Sequence, residues 1–296
     1  MSSLERPQLG WYGMCSINLV LGYVHLCVRI EWEAKMRKLA VMAAAAGLFA
    51  LTAAPAHAAT IGPDAFGYTA TDEVDFSFVD ISGTGTSLLG GFDDVTTGLV
   101  GMGFNFDFYG TTYSSVSWSP NGLMTFTDDN GQFGNVDLTT TAPDGDNPSI
   151  APLWDDWQFF QSGTDSTYYQ TLGAPGSQQF VVQWEEARGF SSSPSGVTFQ
   201  SILYEGSNDI LFQYLDVDSG DFRAAGADAT VGIRDTNGHN NGEALQWSND
   251  SAVIRGNYAI RFSPNQEPPA PVIPEPGTLG LMGMGLVGLG LRRKRS

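Results

Sequence analysis

Between residues 59 and 264 apolar side chains recur at every second position over short stretches, and no stretch shows the three-to-four-residue spacing of an amphipathic helix. Alternation with period two places successive side chains on opposite faces of a strand. In residues 103–109, Phe104, Phe106 and Phe108 fall on one face and Asn105 and Asp107 on the other, which predicts a half-buried strand. Residues 113–118 and 123–127 flank Ser119-Pro120-Asn121-Gly122, whose Pro and Gly suit a tight turn, so the two stretches are expected to form a hairpin. Residues 197–204 and 209–216, joined by Glu205-Gly206-Ser207-Asn208, are apolar on both parities, which places them in the centre of a sheet. Further strands are predicted at 179–184, 229–234 and 257–262. With turn signals every ~8–15 residues and no helical pattern, the expected fold is all-β, an antiparallel β-sandwich over residues 59–263.

Two stretches are apolar throughout and stand apart. Residues 39–54 follow Met36-Arg37-Lys38 and precede Ala56-His57-Ala58, which together read as a secretory signal helix over 36–58, cleaved so that the mature chain starts at Ala59. Residues 1–35 show no periodicity and carry Glu5, Glu31 and Glu33, with His25 and Arg29 interrupting their one apolar patch. They read as an upstream extension before the true start at Met36. The second stretch, 277–291, is followed by Arg292, Arg293, Lys294 and Arg295, and an apolar run ending in cations halts in the membrane with the cations on the cytoplasmic side. Its 15 residues reach about 22 Å as a helix against a hydrocarbon core of about 30 Å. Six of them, Gly277, Gly280, Gly283, Gly285, Gly288 and Gly290, are glycines, each weakening a helix by about 1 kcal/mol relative to alanine. Such a short transmembrane helix suits brief anchoring followed by removal. Before it, residues 264–273 contain Pro268-Pro269-Ala270-Pro271, a stiff extended linker.

Removing the ends changes the chemistry that the rest can perform. The whole chain has 32 acids, 14 Lys and Arg, and a formal net charge of −18. Residues 59–272 keep 28 acids against five arginines and no lysine, a net of −23. That surface repels nucleic acid and suits divalent cations. Cys15 and Cys27 both lie upstream of Ala59, so the body has no disulfide, thiolate metal site or cysteine nucleophile.

Pro274-Glu275-Pro276, the glycine-rich apolar run and the terminal basic cluster together resemble the PEP-CTERM sorting signal of Gram-negative bacteria, here over 274–296. The resemblance implies export through the Sec translocon, transient membrane insertion, recognition by an integral-membrane exosortase with cleavage near Pro-Glu-Pro, and release to the cell surface or matrix. A second resemblance rests on motif order: the Phe-rich strand ending in Tyr109-Gly110, Asn121-Gly122 within 119–126, Ile150-Ala151-Pro152-Leu153-Trp154-Asp155-Asp156, Thr198-Phe199-Gln200 through Tyr204, and Ala229-Thr230-Val231-Gly232-Ile233. In that order they are similar to nidogen-like extracellular domains, with residues 92–263 as the matching span. This implies a disulfide-free β module of adhesive and matrix proteins that is not known for catalysis.

The body offers little for nucleophilic catalysis. His239, in a turn-rich loop, is its one histidine, too few for a histidine-rich metal site or for an obvious nucleophile–base pair. A glycosidase-type carboxylate pair could draw on Asp155-Asp156 and Glu185-Glu186, each pair following a tryptophan, Trp154 or Trp184. Adjacent strand residues face opposite ways, however, so one of each pair at most enters a given cleft. Calcium, which takes carboxylate and carbonyl oxygens from loops, has candidate ligands in Asp144 and Asp146, in Asp155 and Asp156, and in Asp216, Asp218 and Asp221, with Asp128-Asp129-Asn130 as a fourth cluster; none has EF-hand spacing. The expected function is a non-enzymatic adhesion or structural role outside the cell, associated with exopolysaccharide or biofilm and needing no cofactor unless calcium binds. The alternative is a lectin-like or carbohydrate-active protein that uses Trp154, Trp157 and Trp184.

Overall fold

The computed structural model describes residues 59–128, 131–160, 165–191 and 194–264. The upstream extension, the signal peptide with Ala56 and Ala58, most of the linker and the sorting signal lie outside the described residues. Among the described residues no helix is long and apolar enough to cross a membrane.

The described body is all-β and every strand pairing is antiparallel. One sheet has nine strands. Its path runs β1 (Thr60–Ile61), β2 (Thr69–Thr71), β15 (Tyr258–Ser263), β12 (Ile210–Asp216), β11 (Val197–Tyr204), β10 (Gln179–Gly189), β9 (Ser166–Leu172) and β3 (Thr86–Leu88), with β8 (Trp157–Gln158) added on β10. The other sheet has six, in the order β14 (Ala244–Asn249), β13 (Thr230–Arg234), β7 (Ser149–Trp154), β6 (Met124–Thr125), β5 (Thr111–Trp118) and β4 (Val100–Phe108).

The inner faces are aromatic. Phe106, Phe108 and Trp118 of the smaller sheet are buried in one cluster with Phe180, Trp184, Phe199 and Phe212 of the larger. Polar tips on the buried rings then join the sheets. Trp118 Nε1 donates to Thr167 Oγ1 at 2.9 Å, Trp184 Nε1 to the Ser119 carbonyl at 2.9 Å, and the Tyr214 hydroxyl to the Pro152 carbonyl at 2.6 Å. Each bond satisfies a group whose burial would otherwise be costly.

The two-sided apolar character of β11 and β12 has a further cause besides their central position. Residues 74–81 cross the outer face of the larger sheet, where Ile81 is buried with Tyr168, Val181, Ile202, Leu211 and Ala259. Three glutamines lie side by side beneath this strap, since Gln183 pairs with Gln200 and Gln200 with Gln213 across three strands. Gln213 accepts from Ser77 N at 2.7 Å and returns its Nε2 to the Ser77 carbonyl at 2.9 Å. Gln183 Oε1 accepts from Ile81 N at 2.9 Å. Gln200, between them and fully buried, has no hydrogen-bond partner for either amide atom.

The free edge of β4 is shielded, because Asn208 Oδ1 accepts from Asp107 N at 3.0 Å and Thr171 Oγ1 donates to the Met102 carbonyl at 2.8 Å. Side chains there occupy backbone groups that would otherwise template another strand. Strand directions give the sandwich two ends. The turns at Tyr109-Gly110 and 205–208 lie at the end where β15 delivers the chain to Pro264, and the loops holding Asp93, Asn121, Asp156 and Asp221 lie at the other. Nine-residue β4 separates them by about 30 Å.

The glutamines give the first prediction. Gln213→Leu leaves both Ser77 backbone groups unpaired and is expected to cost about 1–3 kcal/mol in urea unfolding, whereas Gln200→Met removes only unsatisfied atoms and leaves stability equal or higher.

Candidate functional site

The end away from Pro264 is organised by the β5–β6 turn. Gly122 there has φ +71°, and a Cβ on it would stand 2.2 Å from the Leu153 carbonyl oxygen, so no other residue fits. The close approach brings Asn121 into the space between three loops. Its buried side chain donates from Nδ2 to Asp94 Oδ1 at 3.0 Å and to the Gly131 carbonyl at 3.3 Å, and it accepts from Trp157 N at 2.9 Å. The Asn121 carbonyl accepts from Asp155 N at 3.2 Å.

This clamp sets Asp93 and Asp94 beside Asp156, with one ligand atom from each lying within 4.8 Å of the others. The crowding shows in their ionisation. Burial, with the charges of Asp94 and Asp156 behind it, pushes the Asp93 carboxyl up, and Asp156 is pushed up by burial and by Asp94. Three carboxylate oxygens this close together are a donor set a hard divalent cation could hold.

Asp155 takes another path. Its Oδ2 lies 3.6 Å from Arg223 Nε, its Oδ1 accepts from Asp156 N at 2.6 Å, and it is almost wholly buried. Desolvation outweighs the Arg223 charge and raises its carboxyl from 3.8 to about 7. Arg223 also lies 3.3 Å from Asp221 and 4.4 Å over the Phe222 ring.

Phenylalanines stand exposed around these acids. Of the eight large apolar residues exposed among the described residues, five are Phe92, Phe133, Phe160, Phe190 and Phe222, at 46–62% exposure. Each is tied to the cluster's loops. Phe92 precedes Asp93 and its carbonyl accepts from Phe159 N, Phe190 N donates to the Asp156 carbonyl, and Phe222 adjoins Arg223. Phe160 lies under Arg188, and Phe133 follows Gln132, whose carbonyl accepts from Trp154 Nε1.

The other candidates are placed differently. Asp146 is held by Arg234 and by Asn237 N at 3.0 Å, while the Asp144 side chain and residues 129–130 lie outside what is described. Asp216, Asp218 and Asp221 turn onto their own backbone, accepting from Asp218 N, Gly220 N and Arg223 N in that order. Glu185 sits on the outer face of the large sheet with its Oε2 on Gln183 Nε2, and Glu186 pairs with Arg188 at 3.7 Å, so neither shares the surroundings of Asp155. Trp154 and Trp184, expected as ligand platforms, are both completely buried, with their Nε1 atoms spent on backbone carbonyls and Trp184 stacked on Phe199 at 4.9 Å. Sequence reasoning passed over Asp93 and Asp94, whose one signal was an acid pair after Gly90-Gly91-Phe92.

Fold and site define a β-sandwich module that carries its carboxylates and exposed aromatics on loops at one end. The chain belongs to the NIDO-related family, matching it over residues 67–267, a span that takes in the strap and Asp93-Asp94. Residues 272–295 match the PEP-CTERM protein-sorting motif. No curated protein and no solved structure matches the chain. The sorting motif implies an exosortase-targeted extracellular protein, and the NIDO-related domain fits that destination.

The state of Asp155 sets a pH dependence. In the fold this carboxyl keeps its proton up to about pH 7, against 3.8 for the ordinary group, so between those values the folded chain binds more protons than the unfolded one and stability falls as pH rises. At about 1.4 kcal/mol per pKa step the effect is worth up to about 4 kcal/mol. The expected result is a higher melting temperature at pH 5 than at pH 7.5 for the natural protein, and a clearly smaller difference for Asp155→Asn, measured by circular dichroism.

Proposed function

We propose that the protein is a non-enzymatic adhesion or structural component of the surface or extracellular matrix of a Gram-negative bacterium, associated with exopolysaccharide or biofilm. Export through the Sec translocon and transient inner-membrane insertion by the C-terminal run would precede cutting by the exosortase. The observation that carries this reading is the cluster of five exposed phenylalanines around Asp93, Asp94 and Asp156 at the end away from Pro264. Apolar rings grouped on a surface signal a binding face, because a soluble monomer otherwise keeps such area small. While the C-terminal run is still inserted, that end would face away from the membrane.

A divalent cation, calcium above all, is proposed to act here by neutralising the three carboxylates, which lets the loops close and lowers the repulsion toward an acidic partner surface. The lectin-like alternative loses its support from Trp154 and Trp184, whose rings are covered.

The test is the triple variant Phe92→Ser, Phe133→Ser, Phe222→Ser, expressed in a matrix-forming host. Secretion and melting temperature should stay within a few degrees of the natural protein, since exposed sites contribute little to folding, while the fraction retained in the matrix should fall several-fold. Undiminished retention would remove the basis for the proposal. In parallel, calcium is expected to raise the melting temperature at pH 7.5 and to lose that effect in Asp156→Asn.

A further inference from the structure

At the opposite end, beside Pro264, a pocket of about 390 Å³ opens between the 64–68 segment, the turn after β4 and the β11–β12 turn. We infer that this pocket binds a single sugar ring of a polysaccharide, uncharged or amine-bearing but not a uronic acid. The inference rests on the matrix role proposed above only for the presence of such a polymer, and it uses none of the loops on which that role is argued.

The apolar side of the pocket is aromatic. Phe66 is half-buried and meets the Tyr109 ring edge-on at 5.3 Å and 61°. A pyranose has one face of C–H groups that packs on such a surface, with hydroxyls around its rim that need donors and acceptors. Those are present on the polar side. Asp107 is exposed, its Oδ1 accepting from Thr112 Oγ1 at 2.5 Å and its other oxygen remaining as an acceptor. Asn208 spends Oδ1 on Asp107 N and keeps its Nδ2 as a donor.

The decisive feature is Tyr68. Tyr68 lines the pocket and is fully buried, its ring lies 4.7 Å from that of Tyr109, and its O–H finds no acceptor, only its oxygen being approached, by the Tyr109 backbone N–H. The other tyrosine hydroxyls of this core do have partners: Tyr109 donates to Asp64 Oδ2 at 2.7 Å and Tyr214 to a backbone carbonyl. A buried phenol left unmatched beside an open pocket is the group that a ligand hydroxyl would complete.

Charge and size narrow the ligand. Asp64, Asp107 and Asp209 all act on the Tyr68 phenol and, after burial, help to hold its proton. An anionic sugar is repelled by this field and a protonated amine is drawn to it. The volume lies near the lower end of the ~300–1,000 Å³ of small-ligand sites, room for one ring and not for an extended oligomer.

The experiment is calorimetric titration of the purified full chain in mild detergent with three soluble oligosaccharides: a neutral glucan tetramer, a glucosamine tetramer and a galacturonate tetramer. Binding is expected for one or both of the first two and not for the third. Tyr68→Phe should melt close to the natural protein, since the Tyr68 O–H has no protein acceptor, yet bind about tenfold more weakly. Asn208→Asp, which keeps the acceptor for Asp107 N, should weaken binding similarly. The phenylalanine triple variant should bind sugar normally, which separates this inference from the proposal above. Absence of binding by both the glucan and the glucosamine tetramers, equal binding of galacturonate, or unchanged affinity in Tyr68→Phe would each overturn it.

Discussion

A body with neither cysteine nor long helix must hold its two sheets together through side chains alone, and here buried aromatic rings with polar tips do so. Trp118, Trp184 and Tyr214 each fill the space between the layers and then spend their one donor on a group of the facing layer. Apolar burial gives the energy and the hydrogen bond fixes the alignment, because a shift of either sheet would leave an indole or phenol unpaired in a dry core. The end loops inherit their positions from that alignment. Trp184 bonds the carbonyl of Ser119, two residues before Asn121, so the same contact that locks the sheets also sets the turn that draws Asp94, Gly131 and Trp157 together.

The second constraint is charge. Five arginines stand among 28 acids in residues 59–272, and each arginine is placed beside a carboxylate: Arg188 by Glu186, Arg223 by Asp155 and Asp221, Arg234 by Asp146, Arg255 by Asp72 and Arg261 by Asp209. At Asp93 and Asp156 burial and the neighbouring carboxylates raise the protonation, and Arg223 offsets this at Asp156 only in part. This places a close group of carboxylates among exposed apolar rings, which is an arrangement for contact more than for stability.

The two ends therefore differ in character. Near Pro264 the surface is a pocket with a half-buried aromatic wall, and away from it the surface is a set of convex loops with projecting phenylalanines.

The sequence by itself determined the class of fold and the positions of β4, β5, β6, β10, β11, β12, β13 and β15. Residues 103–109, 197–204 and 209–216 carry a period-two or two-sided apolar pattern that only a strand satisfies, and they appear as β4, β11 and β12 within a few residues of the expected bounds. It also determined the address, because Pro274-Glu275-Pro276 and the residues after it are read as a linear motif. What it did not reveal is anything that depends on which distant segments meet. Short β1, β2 and β3 were missed, since two or three residues hold no period. Trp154 and Trp184 beside acids looked like a sugar platform, yet Trp184 turned into the core between the sheets while Glu185 went to the opposite face, and Trp154 is covered by Leu138 and the Gln132 carbonyl. Asp93 and Asp94 joined Asp156 across some 60 residues, and the Tyr68 O–H was left without an acceptor, only because packing of the two sheets brought those loops and rings into contact. Local pattern is set by backbone geometry along a strand, whereas a site is set by contacts between strands, and those exist only once the core has closed.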